Sequence, residues 1–81
     1  MMPELRAALR ALAWNLRAWR KSRRATIERL AELAELSPRH IQKIEAGEAN
    51  VTLSTIVKLA FALKIDLRDL FAPIIAGRTD A

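Results

Sequence analysis

The fold is decided by residues 26–47, which read TIERLAELAELSPRHIQKIEAG. Thr26 and Ser37 each precede a run with helical apolar spacing, and both residue types accept hydrogen bonds from the first turn of a helix. Pro38 fits a first helical position, where its missing N–H would have no partner. Gly47 suits the left-handed conformation that ends a helix. The stretch therefore predicts two short helices joined by a tight turn, the second covering residues 38–46.

Helical signals continue on both sides of this stretch. Pro3 predicts the start of a long amphipathic helix to about Ser22, Thr52 predicts the cap of a fourth helix, and Asp66 that of a short fifth one. Two Gly and three Pro leave little material for hairpin turns. The sequence therefore predicts an all-α fold of five helices in a single domain, residues 1–81, in which the tail 76–81 frays.

The composition limits the chemistry that the chain can perform. It contains no Cys and a single His, so we expect no metal site, no cofactor and no enzymatic activity. No apolar run approaches the roughly 18–20 residues of a membrane span, and the N-terminus lacks the apolar segment of a signal peptide. We therefore expect a soluble, cytoplasmic protein that does not enter a membrane.

The net charge of +5 is unevenly distributed. Residues 1–25 hold seven Lys or Arg against Glu4 alone, whereas residues 26–81 hold seven against eight acidic residues. A basic N-terminal segment favours a polyanionic partner, although many basic stripes are only solvated faces. A basic amphipathic helix with two tryptophans could also lie on an anionic membrane.

The second helix of the central stretch carries two different faces. Ile41 and Ile44 share its inward face, whereas Arg39 and Lys43, four residues apart, project on the opposite side. An outward Arg can bond two acceptors of guanine in the major groove, and Lys can reach the same edge. Ordinary surface charges remain the alternative interpretation from this helix alone.

Four segments together resemble the phage-repressor and Cro type of helix-turn-helix protein, also called Xre-like. In residues 15–71 they read LRAWR, TIERLAELAELS, SPRHIQKIEAG and NVTLSTIVKLAFALKIDLRDLF. The resemblance implies a lambda-repressor-like domain, here with an N-terminally extended first helix. It also implies a sequence-specific transcription regulator that binds double-stranded DNA.

The resemblance assigns roles to individual residues. The base-reading residues are Pro38, Arg39 and Lys43, and an ion pair between Arg20 and Glu45 ties the first helix to the recognition helix. Contacts to the DNA backbone are assigned, from the resemblance and from neighbouring polar positions, to Arg23, Arg24, Thr26, Ile27, His40, Gln42 and Asn50. Ile27 would act through its main-chain N–H, as suits the start of a helix.

Some residues depart from the family pattern and leave the turn geometry open. Ile27 stands where Gln is usual, Arg24 and Glu35 where Gly is usual, and Val51 where Pro is common. The segment NVTL, residues 50–53, also resembles the controller proteins of restriction-modification systems.

A homodimer on a two-fold symmetric operator is expected, because one recognition helix reads only a few base pairs. The candidate interface residues are apolar and left over from the core: Trp14, Phe61, Leu67, Phe71, Ile74 and Ile75. The residues before Asn15 could cover the core or extend the interface. The rival function is an antitoxin, in which the same fold binds DNA and neutralises a toxin partner.

Overall fold

The computed structural model describes residues 2–73, and within them it contains helices and no strand. Helix α1 covers Pro3–Ser22, α2 covers Ile27–Ala34, α3 covers Pro38–Glu45 and α4 covers Leu53–Leu63, followed by a 3₁₀ helix at Leu67–Phe71. The predicted all-α fold with a long first helix is confirmed. No helix in this part of the chain combines the length and apolar character that crossing a membrane requires.

The predicted helix caps are formed by side-chain oxygens. The hydroxyl of Thr26 accepts a hydrogen bond from the N–H of Arg29 at 3.0 Å, and that of Ser37 from the N–H of His40 at 3.0 Å. The hydroxyl of Thr52 likewise accepts from the N–H of Thr55 at 3.2 Å. Each cap satisfies an N–H that has no partner within its helix.

Two helix ends differ slightly from the sequence prediction. Helix α3 ends at Glu45, one residue before the predicted end at 46, and Gly47 then adopts the expected positive φ of 74°. The fifth helix is a 3₁₀ helix, in which the N–H of Asp69 donates to the carbonyl of Asp66 at 2.9 Å. This i-to-i+3 bonding is common in helices of only a few residues.

The core lies where the helices meet around α2 and α3. Helix α1 packs against α3 and the 3₁₀ helix, whereas α4 packs against α2 and the 3₁₀ helix. The largest fully buried side chains are Leu12, Leu16, Leu30, Ile41, Ile44, Leu59 and Leu70. Burying each contributes about 1.5–3 kcal/mol to folding, so α3 is held in place mainly by its two isoleucines.

The first part of α1 covers the core. Leu9 and Leu12 are buried, whereas Leu5 lies at the surface with 37% of its area exposed. The part of α1 before Asn15 therefore packs against the core through Leu9 and Leu12, whereas none of residues 3–8 is buried. Ile74, Ile75 and the tail 76–81 lie outside the described residues.

The side chain of Asn15 joins α1 to the C-terminal part of the fold. Its Nδ2 donates to the carbonyl of Leu70 at 3.2 Å and to that of Ala72 at 2.9 Å, as well as to Ala11 within α1. These bonds tie the end of the 3₁₀ helix to α1. The sequence signal for this role is a lone amide on the otherwise apolar inner side of α1, and the sequence prediction missed it.

Candidate nucleic-acid interface

The outer face of α3 is exposed and basic. Pro38, Arg39, Gln42 and Lys43 are exposed, and His40 is half-buried. Neither Arg39 nor Lys43 forms a salt bridge within residues 2–73. Arg39 and Lys43 thus share the open side of α3, opposite the buried isoleucines, and Pro38 is exposed at the first residue of the helix.

A groove joins α3 to the start of α2 and to α1. It has a volume of about 320 Å³ and is lined by Arg17, Arg20, Ile27, Gln42, Glu45 and Ala46. Ile27 and Gln42, two of the residues predicted to contact the DNA backbone, therefore line the same groove. The Ile27 side chain has no hydrogen-bond donor and packs against the core, so its main-chain N–H, at the start of α2, is the group suited to donating to a phosphate.

Arg20 and Glu45 form a two-pronged ion pair at the edge of this groove. Nε of Arg20 lies 2.7 Å from one carboxylate oxygen of Glu45, and Nη2 lies 3.0 Å from the other. Nη1 of Arg20 also donates to the carbonyl of Ala25 at 2.9 Å. The hydrogen bonds to Glu45 raise the pKa of Arg20 above its ordinary value.

The ion pair fixes the position of α3. It links α1, the turn after α1 and the last residue of α3, and both side chains are about nine-tenths buried. A pair with this geometry sets orientation more than it adds net stability. The C-terminal end of α3 is therefore tied to α1 through Glu45.

Arg23 and Arg24 lie on a different groove from the α3 residues. The second groove, of about 400 Å³, runs between the turn after α1 and the end of α4. Nε of Arg23 donates to the carbonyl of Leu63 at 3.1 Å, and its guanidinium carbon lies 5.0 Å from the centre of the Trp19 ring. The structure thus brings Arg23 to α4 and Trp19, not to α3.

The remaining predicted backbone contacts flank the helix pair. Thr26 lies at the cap of α2, and its hydroxyl already accepts from Arg29. Asn50 is exposed in the loop between α3 and α4. The next residue, Val51, is half-buried and packs against the core, which fastens that loop. The roles assigned to all these residues remain predictions.

The outer face of α4 carries an exposed apolar stripe. Phe61 is 82% exposed, and Leu53 and Val57 precede it at four-residue spacing with 68% and 46% exposed. Leu33 of α2 lies beside Phe61. Sequence reasoning chose Phe61 but missed the other three, because helical spacing alone does not tell which apolar residues a neighbouring helix covers.

The other interface candidates are less exposed or lie elsewhere. Leu67 and Phe71 of the 3₁₀ helix are 40% and 37% exposed. Trp14 is 60% exposed on α1, far along the chain from α4. It lines a third groove together with arginines of α1 and the end of α3, and no residue of the α4 stripe lines that groove.

Comparisons with known proteins agree with this geometry. The helix-turn-helix family HTH_3 matches residues 16–70. The control protein C.SmaI of Serratia marcescens is 44% identical over 52 residues, which cover 64% of this chain and 62% of that protein. The chain thus spans about three-fifths of that relative's length.

Solved structures show the same fold. The restriction-modification controller protein C.AhdI from Aeromonas hydrophila is 38% identical with a TM-score of 0.76, over 78% of this chain and 96% of that one. The clp gene regulator ClgR from Corynebacterium glutamicum is 27% identical with a TM-score of 0.74, over 78% of this chain and 67% of that one. The resemblance inferred from the sequence is confirmed. The chain belongs to the Xre-like helix-turn-helix family HTH_3, a family of DNA-binding transcription regulators and not of enzymes.

Proposed function

We propose that the chain, acting as a single helix-turn-helix domain, regulates transcription by binding a two-fold symmetric DNA operator as a homodimer. The observation that carries the proposal is the outer face of α3, where Arg39 and Lys43 project without acidic partners among residues 2–73. Helix α3 is rigidly mounted by Ile41, Ile44 and the Glu45 ion pair. A helix that is fixed against the core and presents basic side chains to solvent is suited to entering the major groove.

Base recognition follows from the side chains on this face. The guanidinium of Arg39 can donate to both acceptors on the major-groove edge of guanine, and Lys43 can reach one of them. Pro38 offers an apolar contact suited to a thymine methyl group. These three residues would carry the sequence preference, each good polar pair contributing about 1–3 kcal/mol of discrimination.

Phosphate contacts would orient α3 in the groove. The start of α2 offers main-chain N–H groups at Ile27, next to the cap residue Thr26 and across the groove from Gln42. His40 on α3 and Asn50 in the loop after it would contact further phosphates. Arg24 supplies exposed positive charge at the turn before α2. Arg23 adds to this charge, although its Nε donates to the carbonyl of Leu63.

The α4 stripe supports dimerisation. Exposed apolar residues at Leu53, Val57 and Phe61, with Leu33 beside them, make a contiguous surface that water contacts unfavourably. Pairing two copies through this stripe would cover it and set two α3 helices on one duplex. Half-sites about 34–36 Å apart, one DNA turn, are the geometry that such dimers read.

The relatives support a narrower role. C.SmaI is named a control protein and C.AhdI a restriction-modification controller protein. We propose that this regulator likewise controls genes of a restriction-modification system. The segment NVTL at residues 50–53 is a sequence feature that favours the same group.

The experiment measures the affinity of each variant for two DNA probes at several salt concentrations and compares variants at the same salt. One probe is a duplex enriched by the protein from a random library, and the other is a random duplex of equal length. Arg39→Ala and Lys43→Ala should each weaken binding to the enriched duplex about 5- to 150-fold, the equivalent of about 1–3 kcal/mol. Binding to the random duplex should change much less.

Two further variants serve as references. Arg24→Ala should weaken binding to both probes equally and lower the slope of log affinity against log salt by about 0.9, since it removes the charge that neutralises one phosphate. Arg68→Gln, at an exposed position of the 3₁₀ helix, which packs against α1 and α4, should leave both affinities unchanged. Equal losses on both probes for Arg39→Ala and Lys43→Ala would contradict the assignment of base reading to α3.

A further inference from the structure

The extension of α1 carries a row of arginines on one face. Arg6, Arg10 and Arg17 are spaced so that, at about 100° per residue, they fall within about 40° of one another around the helix. All three are exposed, and none forms a salt bridge within residues 2–73. Arg6 and Arg10 precede residue 16, where the family match begins.

This arginine row borders the end of the recognition helix. Together with Ala13 and Trp14 it lines a groove of about 550 Å³, whose other wall is Glu45, Ala46 and Gly47. A Cβ added at Gly47 would lie only 3.9 Å from the Cβ of Ala13, so α1 and the end of α3 approach closely. The row is thus fixed relative to α3.

The groove is strongly positive. Glu45 is the one acidic residue among those that line it, and both of its carboxylate oxygens are already engaged by Arg20. The three arginines therefore face the groove without compensation from its lining. An exposed row of this kind attracts a polyanion.

The row is also continuous with the DNA-binding face. Arg17 lines the neighbouring groove together with Ile27 and Gln42, and Gly47 opens the loop that contains Asn50. A duplex that met α3, Ile27 and Asn50 would have its backbone next to this row. With a rise of about 1.5 Å per residue, Arg6 and Arg17 are about 16 Å apart along the axis. That distance exceeds the roughly 3.4 Å axial spacing of phosphates on one strand, so the row can meet more than one phosphate.

We propose that Arg6, Arg10 and Arg17 bind the phosphate backbone of the same duplex outside the bases that α3 reads, which widens the DNA footprint without adding base specificity. This inference rests on the proposed DNA-binding function. The indole N–H of Trp14, 60% of whose area is exposed beside the row, is a further donor for the same backbone.

The test uses the full chain and the duplex that it enriches from a random library. This duplex is extended by ten base pairs of random sequence on each side. Arg6→Gln/Arg10→Gln should bind the extended duplex with a salt slope lower by about 0.9 for each phosphate that the variant no longer neutralises. Between 50 and 200 mM salt, each such phosphate changes the affinity ratio about threefold. The preferred bases should stay the same.

Two control variants distinguish loss of the charges at Arg6 and Arg10 from a change in folding and from a change in the net charge of the protein. Arg6→Lys/Arg10→Lys keeps the charges and should keep the slope. Lys58→Gln/Arg68→Gln removes two charges from exposed positions on α4 and on the 3₁₀ helix, and should leave the slope nearly unchanged. All three double variants should melt like the unmodified protein, because every altered side chain is exposed.

The outcomes distinguish the two proposals. Failure of the unmodified protein to enrich any duplex would contradict the proposed function itself. Normal enrichment with the same slope for Arg6→Gln/Arg10→Gln and for Lys58→Gln/Arg68→Gln would overturn the role of the arginine row alone. If Arg6→Gln/Arg10→Gln kept the salt slope on DNA but no longer bound phosphatidylglycerol vesicles, the role of the arginine row in DNA binding would be overturned in favour of binding to a membrane surface.

Discussion

At the scale of single residues, three side chains occupy a backbone conformation that usually belongs to glycine. Arg24, Glu35 and Lys64 have φ values of 55°, 58° and 59°. Glu35 and Lys64 end α2 and α4, and Arg24 lies in the turn between α1 and α2. Left-handed geometry costs an L-residue about 1–2 kcal/mol. At positions 24 and 35, where the family pattern usually has Gly, this chain therefore keeps left-handed geometry at a cost in stability.

Replacing Glu35 with Gly should stabilise the protein. The change removes the steric cost of about 1–2 kcal/mol in the folded state. The greater conformational freedom of glycine in the unfolded chain offsets about 0.4–1 kcal/mol of this gain. The free energy of unfolding should therefore rise by about 0.5–1 kcal/mol, measured by urea denaturation.

Glu32→Gly is the matched control, since Glu32 is an exposed residue of the same helix with right-handed geometry. Glycine inside a helix should lower the free energy of unfolding by about 1 kcal/mol. The explanation of the turn would be wrong if the two substitutions changed stability in the same direction.

At the scale of elements, local signals predicted most of the fold. The caps at Thr26, Ser37 and Thr52 and the buried positions of Ile41 and Ile44 were predictable because they depend on a few neighbouring residues. Contacts between distant segments were not. The side chain of Arg23 turns to the carbonyl of Leu63, forty positions away, and no local pattern indicates that.

The site was predictable to a similar extent. The outward direction of Arg39 and Lys43 follows from the helical period and from burial of the opposite face. The exposure of Leu53, by contrast, depends on whether another helix lies over it, which spacing within α4 does not reveal. The positive φ of Lys64 was not anticipated either, because no glycine pattern marked that turn.

One amide side chain links the 3₁₀ helix to α1 by hydrogen bonds. Asn15→Ala should leave the carbonyls of Leu70 and Ala72 without that donor and lower the free energy of unfolding by about 1–3 kcal/mol. The loss should be largest near the 3₁₀ helix, so amide hydrogen exchange in Leu67–Phe71 should quicken more than exchange in α3.

Asn50→Ala provides the comparison for this change, because Asn50 is an exposed amide with no side-chain hydrogen bond among residues 2–73. It should leave both stability and exchange unaltered. Uniform acceleration across all helices in Asn15→Ala would show that the amide does not act locally on the 3₁₀ helix.

At the scale of the whole molecule, two different surfaces are separated by α2. Helix α2 packs against α3, which carries the basic face, and against α4, which carries the apolar stripe. One surface is suited to DNA and the other to a second copy of the chain. A dimer through α4 would thus leave α3 and the arginine row of α1 open to the duplex.

Phe61→Lys should weaken the dimer. A buried aromatic at the centre of an interface commonly contributes about 2 kcal/mol or more, so the dimer dissociation constant should rise by about 30-fold or more in sedimentation equilibrium. The matched change Trp14→Lys alters an exposed aromatic on α1 and should leave the constant near its original value. The reverse pattern would assign the interface to α1.

The most direct test of the central claim is selection of bound duplexes from a random library by the unmodified protein near physiological salt, with the mass of the selected complex measured. We expect a two-fold symmetric motif with half-sites one DNA turn apart, about 34–36 Å, bound by two copies of the chain. Absence of any enriched motif would contradict the claim and would favour a protein-neutralising role of the antitoxin type.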